Sequence, residues 1–327
     1  MKENYFFNVV TYARIPLRTN KYIFLIVLFT IHLYGACAHS QNIKITFVGD
    51  IMLDDLPGKY IEQGKDPFAS FAPIFKNSDL VIGNLECVVG TTGEAEIKPT
   101  VLRAHPRVLP LLKKYFSAVS LANNHLGDYG PDAISKQIDL LNAAGIEHFG
   151  GGKDIRAAHR PSIFDVKGKR IAILGYDIFL PRSFEALEDR PGTAWGDPDY
   201  IVADIKKAKT FYQADIVIIY PHWGWEGDKI ASARQEFLAR LMIDNGADAV
   251  VGGHPHVTQN IQTYKGKPIF YSLGNFVFDS FDTLETTTGW VLEMNINNSS
   301  EITWRIFEAK IDKDGIPKNN GVIQTAN

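Results

Sequence analysis

From Asn42 onward, short apolar runs alternate with polar or glycine residues that follow each run directly. Seven of these runs are rich in β-branched residues. Such runs are typical of buried strands. The pattern predicts strands at Ile43–Val48, Leu80–Ile82, Ala118–Ala122, Ile171–Leu174, Ile216–Tyr220, Ala249–Val251 and Ile269–Leu273.

Segments with a helical period lie between several of these runs. Pro131 suits the first turn of one such helix, and Gly145 marks its end. Because strands and helices alternate, we expect parallel β-α units and an α/β fold. The predicted helices are Pro106–Phe116, Pro131–Ala144, Asp199–Tyr212 and Ala231–Asn245.

The pattern changes near the end of the chain, where apolar residues alternate along 290–296 and again along 302–306. Asn and Ser residues separate the two stretches, which predicts an antiparallel hairpin. The polar tail at 311–327 is either a last strand or a frayed end. With no repeat or low-complexity linker in the sequence, we expect one catalytic domain at 39–310.

The N-terminus carries the clearest targeting signal, since three basic residues precede an apolar run at 22–34 that ends in small residues. This order is typical of a secretory signal peptide over 1–38. Ala36 and Ala38 place cleavage before His39, whereas acylation of Cys37 would make a lipoprotein, an alternative that Tyr34 disfavours. An uncleaved membrane anchor is the other alternative.

Charge and cysteine content narrow the function classes. The formal net charge of −3 gives no overall basic field, so we expect no nucleic-acid partner. Two cysteines are too few for a thiolate metal cage. Any metal is therefore held by nitrogen and oxygen ligands, which suit Mn, Zn, Fe or Mg without distinguishing them.

Polar residues follow the predicted strands at the points where the strands end. In open α/β sheets ligands bind beyond the carboxyl ends of strands, so these residues are expected to converge. Carboxylates, an amide oxygen and several imidazoles form the ligand set of a site for one or two cations. The residues are Asp50, Asn84, Glu86, Asn123, Asn124, His125, Asp128, His222, Glu226, His254, His256 and Asn275.

Each residue alone also has a structural explanation. Asp50 after Gly49 could form a turn or cap a helix, and His222 could be a packed loop histidine. His254 and His256, one residue apart after a buried strand, favour metal ligation more directly. The joint pattern decides for a site, because five separate strand ends would otherwise carry ligand-type residues by accident.

The motifs GDIML, GNLE, NNH, HWG, GGHPH and GNF, in this order, resemble the CapA poly-γ-glutamate capsule synthesis family over about 43–278. That family is related to calcineurin-like metallophosphoesterases. The resemblance implies a four-layer α/β/β/α sandwich with two sheets packed face to face and helices outside.

The resemblance also implies roles for individual residues. Its metal ligands would be Asp50 and His256 on the first metal, Glu86 as the bridging carboxylate, and Asn124, His222 and His254 on the second. His125 would protonate a leaving group, with Asp128 as a further catalytic residue. Substrate would contact Asn84, Asn275 and Arg103, although Arg103 could equally be a solvated surface residue.

One position departs from common metallophosphoesterases, which have a histidine where this chain has Met52. The first metal loses a ligand there. The expected site is thus a single metal, a weaker pair, or a site adapted to other chemistry.

Three functions remain open. The first is an exported, CapA-like envelope protein that uses a metal-dependent hydrolase-like site in synthesis, release or anchoring of an anionic polymer, with a membrane-bound synthase as partner. The second is a phosphoesterase acting on a small anionic substrate. The third is a non-catalytic accessory that binds polymer.

Overall fold

A computed structural model describes residues 42–280 and 283–326. The predicted signal segment at 1–38, together with Cys37, lies outside these residues. Across the described ranges, no helix combines the length and the apolar character needed to cross a membrane.

The described residues form eighteen strands, which are numbered in chain order. They include all seven strands predicted from apolar runs, most of them longer than the run itself. Their bounds are β1 Ile43–Ile51, β2 Leu80–Leu85, β3 Val88–Val89, β4 Arg103–Ala104, β5 Ala118–Ser120, β6 Glu147–Phe149, β7 Gly151–Gly152, β8 Ser162–Val166, β9 Lys169–Asp177, β10 Gly192–Thr193, β11 Ile216–His222, β12 Ala249–Val251, β13 Ile261–Tyr264, β14 Lys267–Phe270, β15 Asn275–Val277, β16 Thr288–Ile296, β17 Ile302–Ile311 and β18 Pro317–Ala326.

Seven α-helices accompany the strands in the described residues, and the four predicted helices are among them. The predicted helix at 106–116 begins as a 3-10 turn at Pro106–Val108. The helices are α1 Asp55–Glu62, α2 Ala72–Lys76, α3 Leu109–Tyr115, α4 Gly130–Ala143, α5 Ile155–Ala158, α6 Pro198–Thr210 and α7 Ala233–Asp244.

Two large sheets organise the fold. The first has the strand order β18-β17-β16-β1-β2-β5-β6, and β15 pairs with the end of β1. Its strands β1, β2, β5 and β6 are parallel, whereas β16, β17 and β18 are antiparallel. The second sheet has the order β13-β14-β12-β11-β9-β8. Its central strands β9, β11, β12 and β14 are parallel.

Three apolar cores separate four layers. Side chains from the facing sides of both sheets, such as Phe47 and Ile218, form the central core. The outer face of the first sheet packs on α1 to α4 through residues such as Leu112. The outer face of the second packs on α5 to α7 through residues such as Ile205 and Met242. This arrangement confirms the predicted α/β/β/α sandwich.

The C-terminal hairpin is confirmed as β16 and β17. The polar segment after it forms β18, which pairs with β17 at the edge of the first sheet. Of the two alternatives for the tail, the structure therefore shows a strand. The proposed domain boundaries stay predictions.

Candidate metal centre

The carboxyl ends of strands from both sheets meet at one buried site. Asp50 lies at the end of β1, Glu86 directly follows β2, and His222 ends β11. The loop after β12 contributes His254 and His256. All five side chains are buried, so the ligand-type groups lie below the surface where the two sheets meet.

Two groups of ligand-type side chains share one carboxylate. Glu86, His222 and His254 form the first group, and Asp50, Glu86 and His256 form the second. Within each group, one ligand atom from every residue lies within 4.8 Å of the others. A shared carboxylate between two such groups is the layout of a two-cation site.

The separations within the first group suit a divalent cation. His222 Nε2 lies 3.5 Å from Glu86 Oε1 and 3.1 Å from His254 Nδ1. Asn124 Oδ1 lies 2.9 Å from the same His222 nitrogen, which adds an amide oxygen to the group. Ligands bonded at about 2.1 Å to a tetrahedral ion stand about 3.4 Å apart, so these residues fit a cation of this size.

A buried carboxylate oxygen also points to a missing partner. In the part of the chain that the structure describes, Glu86 Oε1 is buried without a hydrogen-bond partner. Nor does any Lys or Arg pair with Asp50 or Glu86 among those residues. Buried carboxylates without a counter-charge are costly, and a bound cation removes that cost.

Burial sets the protonation of the centre. It raises the pKa of Asp50, and it raises the pKa of Glu86 further with the help of the Asp50 charge. Burial also lowers the pKa of His256 and, more strongly, the pKa values of His222 and His254. The imidazoles are thus neutral near neutral pH, which is the form that binds metals.

Two asparagines hold the ligand-type side chains in place. The amide of Asn84 donates to Asp50 Oδ1 at 2.8 Å and to Glu86 Oε2 at 3.4 Å. His256 Nδ1 lies 2.8 Å from Asn275 Oδ1, which leaves His256 Nε2 facing Glu86 Oε1 at 3.7 Å. Such contacts fix the tautomer and orientation of metal ligands. The substrate-binding roles of Asn84 and Asn275 stay predictions.

His125 and Asp128 form a hydrogen-bonded pair beside the centre. His125 Nδ1 lies 2.7 Å from Asp128 Oδ2. The catalytic roles of these two residues stay predictions. Lys98 pairs with Asp128 Oδ1 and donates to the backbone oxygen of Asn124 at 2.8 Å. Sequence reasoning missed Lys98, because it lies in a polar loop that carries no motif.

Asp177 is a second residue that sequence reasoning missed. It ends β9, in register with His222 on the neighbouring strand. Burial raises the pKa of Asp177 to about 7. The rule that polar residues at strand ends line the site would have found it.

The loop of His254 and His256 is held in an unusual conformation. Both residues have positive φ angles, 95° and 56°, which non-glycine residues rarely adopt. Gly253 packs closely on Asp50, since a Cβ atom there would lie 2.8 Å from Asp50 Oδ1. Strain at this loop is typical of a functional site.

Two predicted residues sit apart from the ligand groups. Met52 is fully buried in the outer core of the first sheet, and its sulfur accepts from the N–H of Asp54 at 3.1 Å. Arg103 stacks on the ring of Tyr129 at 4.1 Å. It lines a cleft of about 210 Å³, and none of the ligand-type residues of the metal centre lines that cleft. Anion binding by Arg103 stays a prediction.

The four layers, with carboxylates and imidazoles meeting at strand ends, define an α/β domain of the metallophosphoesterase type. The family model described as bacterial capsule synthesis protein PGA_cap matches residues 44–280. The chain belongs to this family, which confirms the resemblance seen in the sequence motifs.

Curated relatives agree with the family match. The capsule biosynthesis protein CapA of Bacillus anthracis is 37% identical over 257 residues, which cover 74% of this chain and 61% of that protein. The PGA biosynthesis protein CapA of Bacillus subtilis (strain 168) is 35% identical over 281 residues, which cover 80% of this chain and 73% of that protein. The match to the Bacillus anthracis protein therefore spans about three fifths of its length.

Among solved structures, the NAD nucleotidase NadN of Haemophilus influenzae is 13% identical with a TM-score of 0.43, over 88% of this chain and 50% of that chain. This similarity is weak.

Proposed function

We propose that this protein is an exported, metal-dependent hydrolase that acts on an anionic extracellular polymer of the poly-γ-glutamate type, in its synthesis, release or anchoring. The observation that carries the proposal is the pair of buried ligand groups that share Glu86. The names of the Bacillus relatives, which refer to capsule and PGA biosynthesis, supply the polymer.

Two sets of residues would hold the cations. Glu86, Asn124, His222 and His254 would hold one cation, and Asp50, Glu86 and His256 a second, weaker one that lacks the ligand Met52 cannot provide. A divalent cation in such a site supplies positive charge that polarises the scissile group and makes water easier to deprotonate.

His125 is the proton donor of the proposed reaction. In amide cleavage water releases one proton to solvent as its oxygen bonds to the carbonyl carbon. The C–N bond then breaks, the leaving nitrogen takes a proton from His125 to become an amine, and solvent returns a proton to His125. Asp128, 2.7 Å from His125 Nδ1, holds the imidazole so that Nε2 delivers that proton. Lys98 fixes Asp128 from its other side.

Metal analysis and turnover by ligand variants test the proposal. Asp50→Ala and His254→Ala are expected to lose bound metal and at least about 100-fold in turnover of polyglutamate, while the far-UV circular dichroism stays unchanged. The exposed Asp132→Ala serves as the matched control. Full activity in both site variants would refute the metal-dependent mechanism.

A phosphoesterase is the second candidate, favoured by a donor set arranged as in metallophosphoesterases. A chromogenic phosphodiester and product analysis separate the two candidates. Release of glutamate oligomers indicates amide cleavage, and release of phosphate indicates ester cleavage. Polymer binding without turnover of either substrate would leave the non-catalytic accessory as the function.

The location and the synthase partner belong to the same proposal. The basic and apolar segment before residue 39 supports export to the cell envelope. Fractionation of cells that express the full chain tests this, since recovery in the cytosol would contradict it. Co-purification of a membrane-bound synthase with the full chain tests the partner.

A further inference from the structure

Two clefts lie side by side away from the candidate metal centre. Their volumes are about 610 and 600 Å³, and both are lined by Arg156 and Lys207. The second cleft runs between α4, which covers the first sheet, and α6, which covers the second. No candidate metal ligand lines either cleft, so they form a surface separate from the centre.

The second cleft is strongly basic although the whole chain has a net charge of −3. Lys153, Arg156, Arg160 and Lys207 line it, against the single carboxylate of Asp154. The Asp154 carboxylate is already engaged, because it accepts from a backbone N–H at the start of α5 at 2.8 Å. The second cleft therefore presents a local excess of positive charge to anything that enters it. The first cleft has no such excess, because Glu188, Asp189 and Asp204 line it together with Arg156 and Lys207.

Two of the four cations are free to bind an anion. Lys153 lies 2.6 Å from Asp139, and Arg160 approaches Glu147 at 4.0 Å. Across residues 42–280 and 283–326, no carboxylate lies within ion-pair distance of Arg156 or Lys207, and both side chains are exposed. These two are also the residues that the clefts share.

An unpartnered histidine in the first cleft points to a ligand independently. His159 is only 9% exposed, and its Nδ1 lies 2.7 Å from Asp204 Oδ2. Its other ring nitrogen, Nε2, is buried with no hydrogen-bond partner among the described residues. With Nδ1–H donating to Asp204, Nε2 is an acceptor for an N–H or O–H donor.

We propose that the second cleft binds a stretch of an acidic polyamide, the polymer that the proposed function names as substrate. Such a chain offers carboxylates to Arg156 and Lys207, the residues that both clefts share. Where it passes these residues into the first cleft, it offers an amide N–H group to His159 Nε2 and methylene groups to Ile155 and Tyr200. The clefts are far larger than a single inorganic anion needs. Only the identity of the polymer rests on the proposed function.

The test is binding of a fluorescent γ-glutamate oligomer to the purified full chain. Arg156→Glu combined with Lys207→Glu is expected to weaken binding by about tenfold or more, because two charge-assisted contacts become repulsive. Lys206→Glu is the matched control, since Lys206 is exposed on the same helix but lines neither cleft. It is expected to change affinity less than about twofold.

Bound metal is measured on the same variants, and its amount is expected to match that of the unmodified protein. This separates failure of the clefts from failure of the metal centre, because oligomer binding is read without turnover. Equal affinity in the double variant and Lys206→Glu would overturn the proposal. A single-stranded RNA of equal charge is the second probe. If it binds more tightly than the oligomer and the double variant loses this binding, the clefts are a nucleic-acid site and the proposal is wrong.

Discussion

At the scale of single residues, Asp177 shows what burial does to a carboxyl group. Its Oδ1 accepts from the N–H of Phe179 at 3.1 Å, but its Oδ2 is buried without a hydrogen-bond partner among the described residues. Burial raises its pKa from 3.8 to about 7. The folded protein therefore binds a proton there more tightly than the unfolded chain does.

This shift predicts a pH-dependent effect of Asp177→Asn on the metal-free protein. A raised carboxyl pKa contributes stability at low pH that is lost as the pH rises between about 4 and about 7. The difference between the two pKa values of Asp177 corresponds to a free energy on the order of 4 kcal/mol. In the Asn variant, an unpartnered amide N–H costs about 1–3 kcal/mol. Urea unfolding should find the variant more stable at about pH 8, with a smaller difference at about pH 5. The same difference at both pH values would contradict the prediction.

Met52 offers the second prediction at this scale. Met52 is packed in the outer core of the first sheet, apart from the ligand groups, so an imidazole at this position stays away from the ion. Met52→His is therefore expected to leave the metal content unchanged while it lowers the stability by about 1–3 kcal/mol, because a polar ring enters an apolar core.

Equilibrium dialysis followed by metal analysis measures the metal content directly. Met52→Leu keeps the apolar volume and should leave metal content unchanged. If Met52→His binds more metal than Met52→Leu, the position reaches the ion and the prediction is wrong.

At the scale of elements, apolar runs identified the central strands because strands buried on both faces are apolar along their whole length. Helix α1 was missed, since Pro57 and Gly58 interrupt its helical period. Strands β8 and β13 were missed because they are edge strands with partly exposed residues.

The sequence pattern predicts which residues are of ligand type, but it does not predict the distances between their side chains. That Glu86 belongs to both ligand groups depends on how the two sheets stack, and no local pattern encodes this packing. Lys98 shows the same limit, because a loop brings it to Asp128 from 30 positions earlier in the chain.

Strand β16 carries a stability prediction. Leu292 is fully buried in the central core and lies opposite Phe47 of β1. Leu292→Ala leaves a cavity between two sheets that cannot collapse easily, so it should cost about 2–5 kcal/mol. Urea unfolding with an unchanged m-value measures the loss. Leu284→Ala, at a position 71% exposed, should change stability by less than about 0.5 kcal/mol.

At the scale of the whole molecule, the centre joins the two sheets. Asp50 and Glu86 come from the first sheet, whereas His222 and the His254 loop come from the second. A cation between them would link the two halves of the sandwich, and unfolding would have to release it. The metal is thus expected to stabilise the entire fold and not the site alone.

Removal of metal should therefore lower the melting temperature of the protein. A ligand present at about 100 times its Kd stabilises the folded state by about 2.7 kcal/mol, which corresponds to several degrees for a domain of this size. Calorimetry with and without a chelator measures the shift, and adding Mn²⁺ or Zn²⁺ back should restore it.

The chelator also distinguishes the centre from any other metal-binding group in the chain. In His254→Ala the first ligand group loses a nitrogen, so the chelator should shift the melting temperature little. The metal-free form also keeps two buried carboxylates with raised pKa values, and its stability should fall as the pH rises through them. If the chelator lowers the melting temperature of His254→Ala as much as that of the unmodified chain, the stabilising ion is bound by other residues.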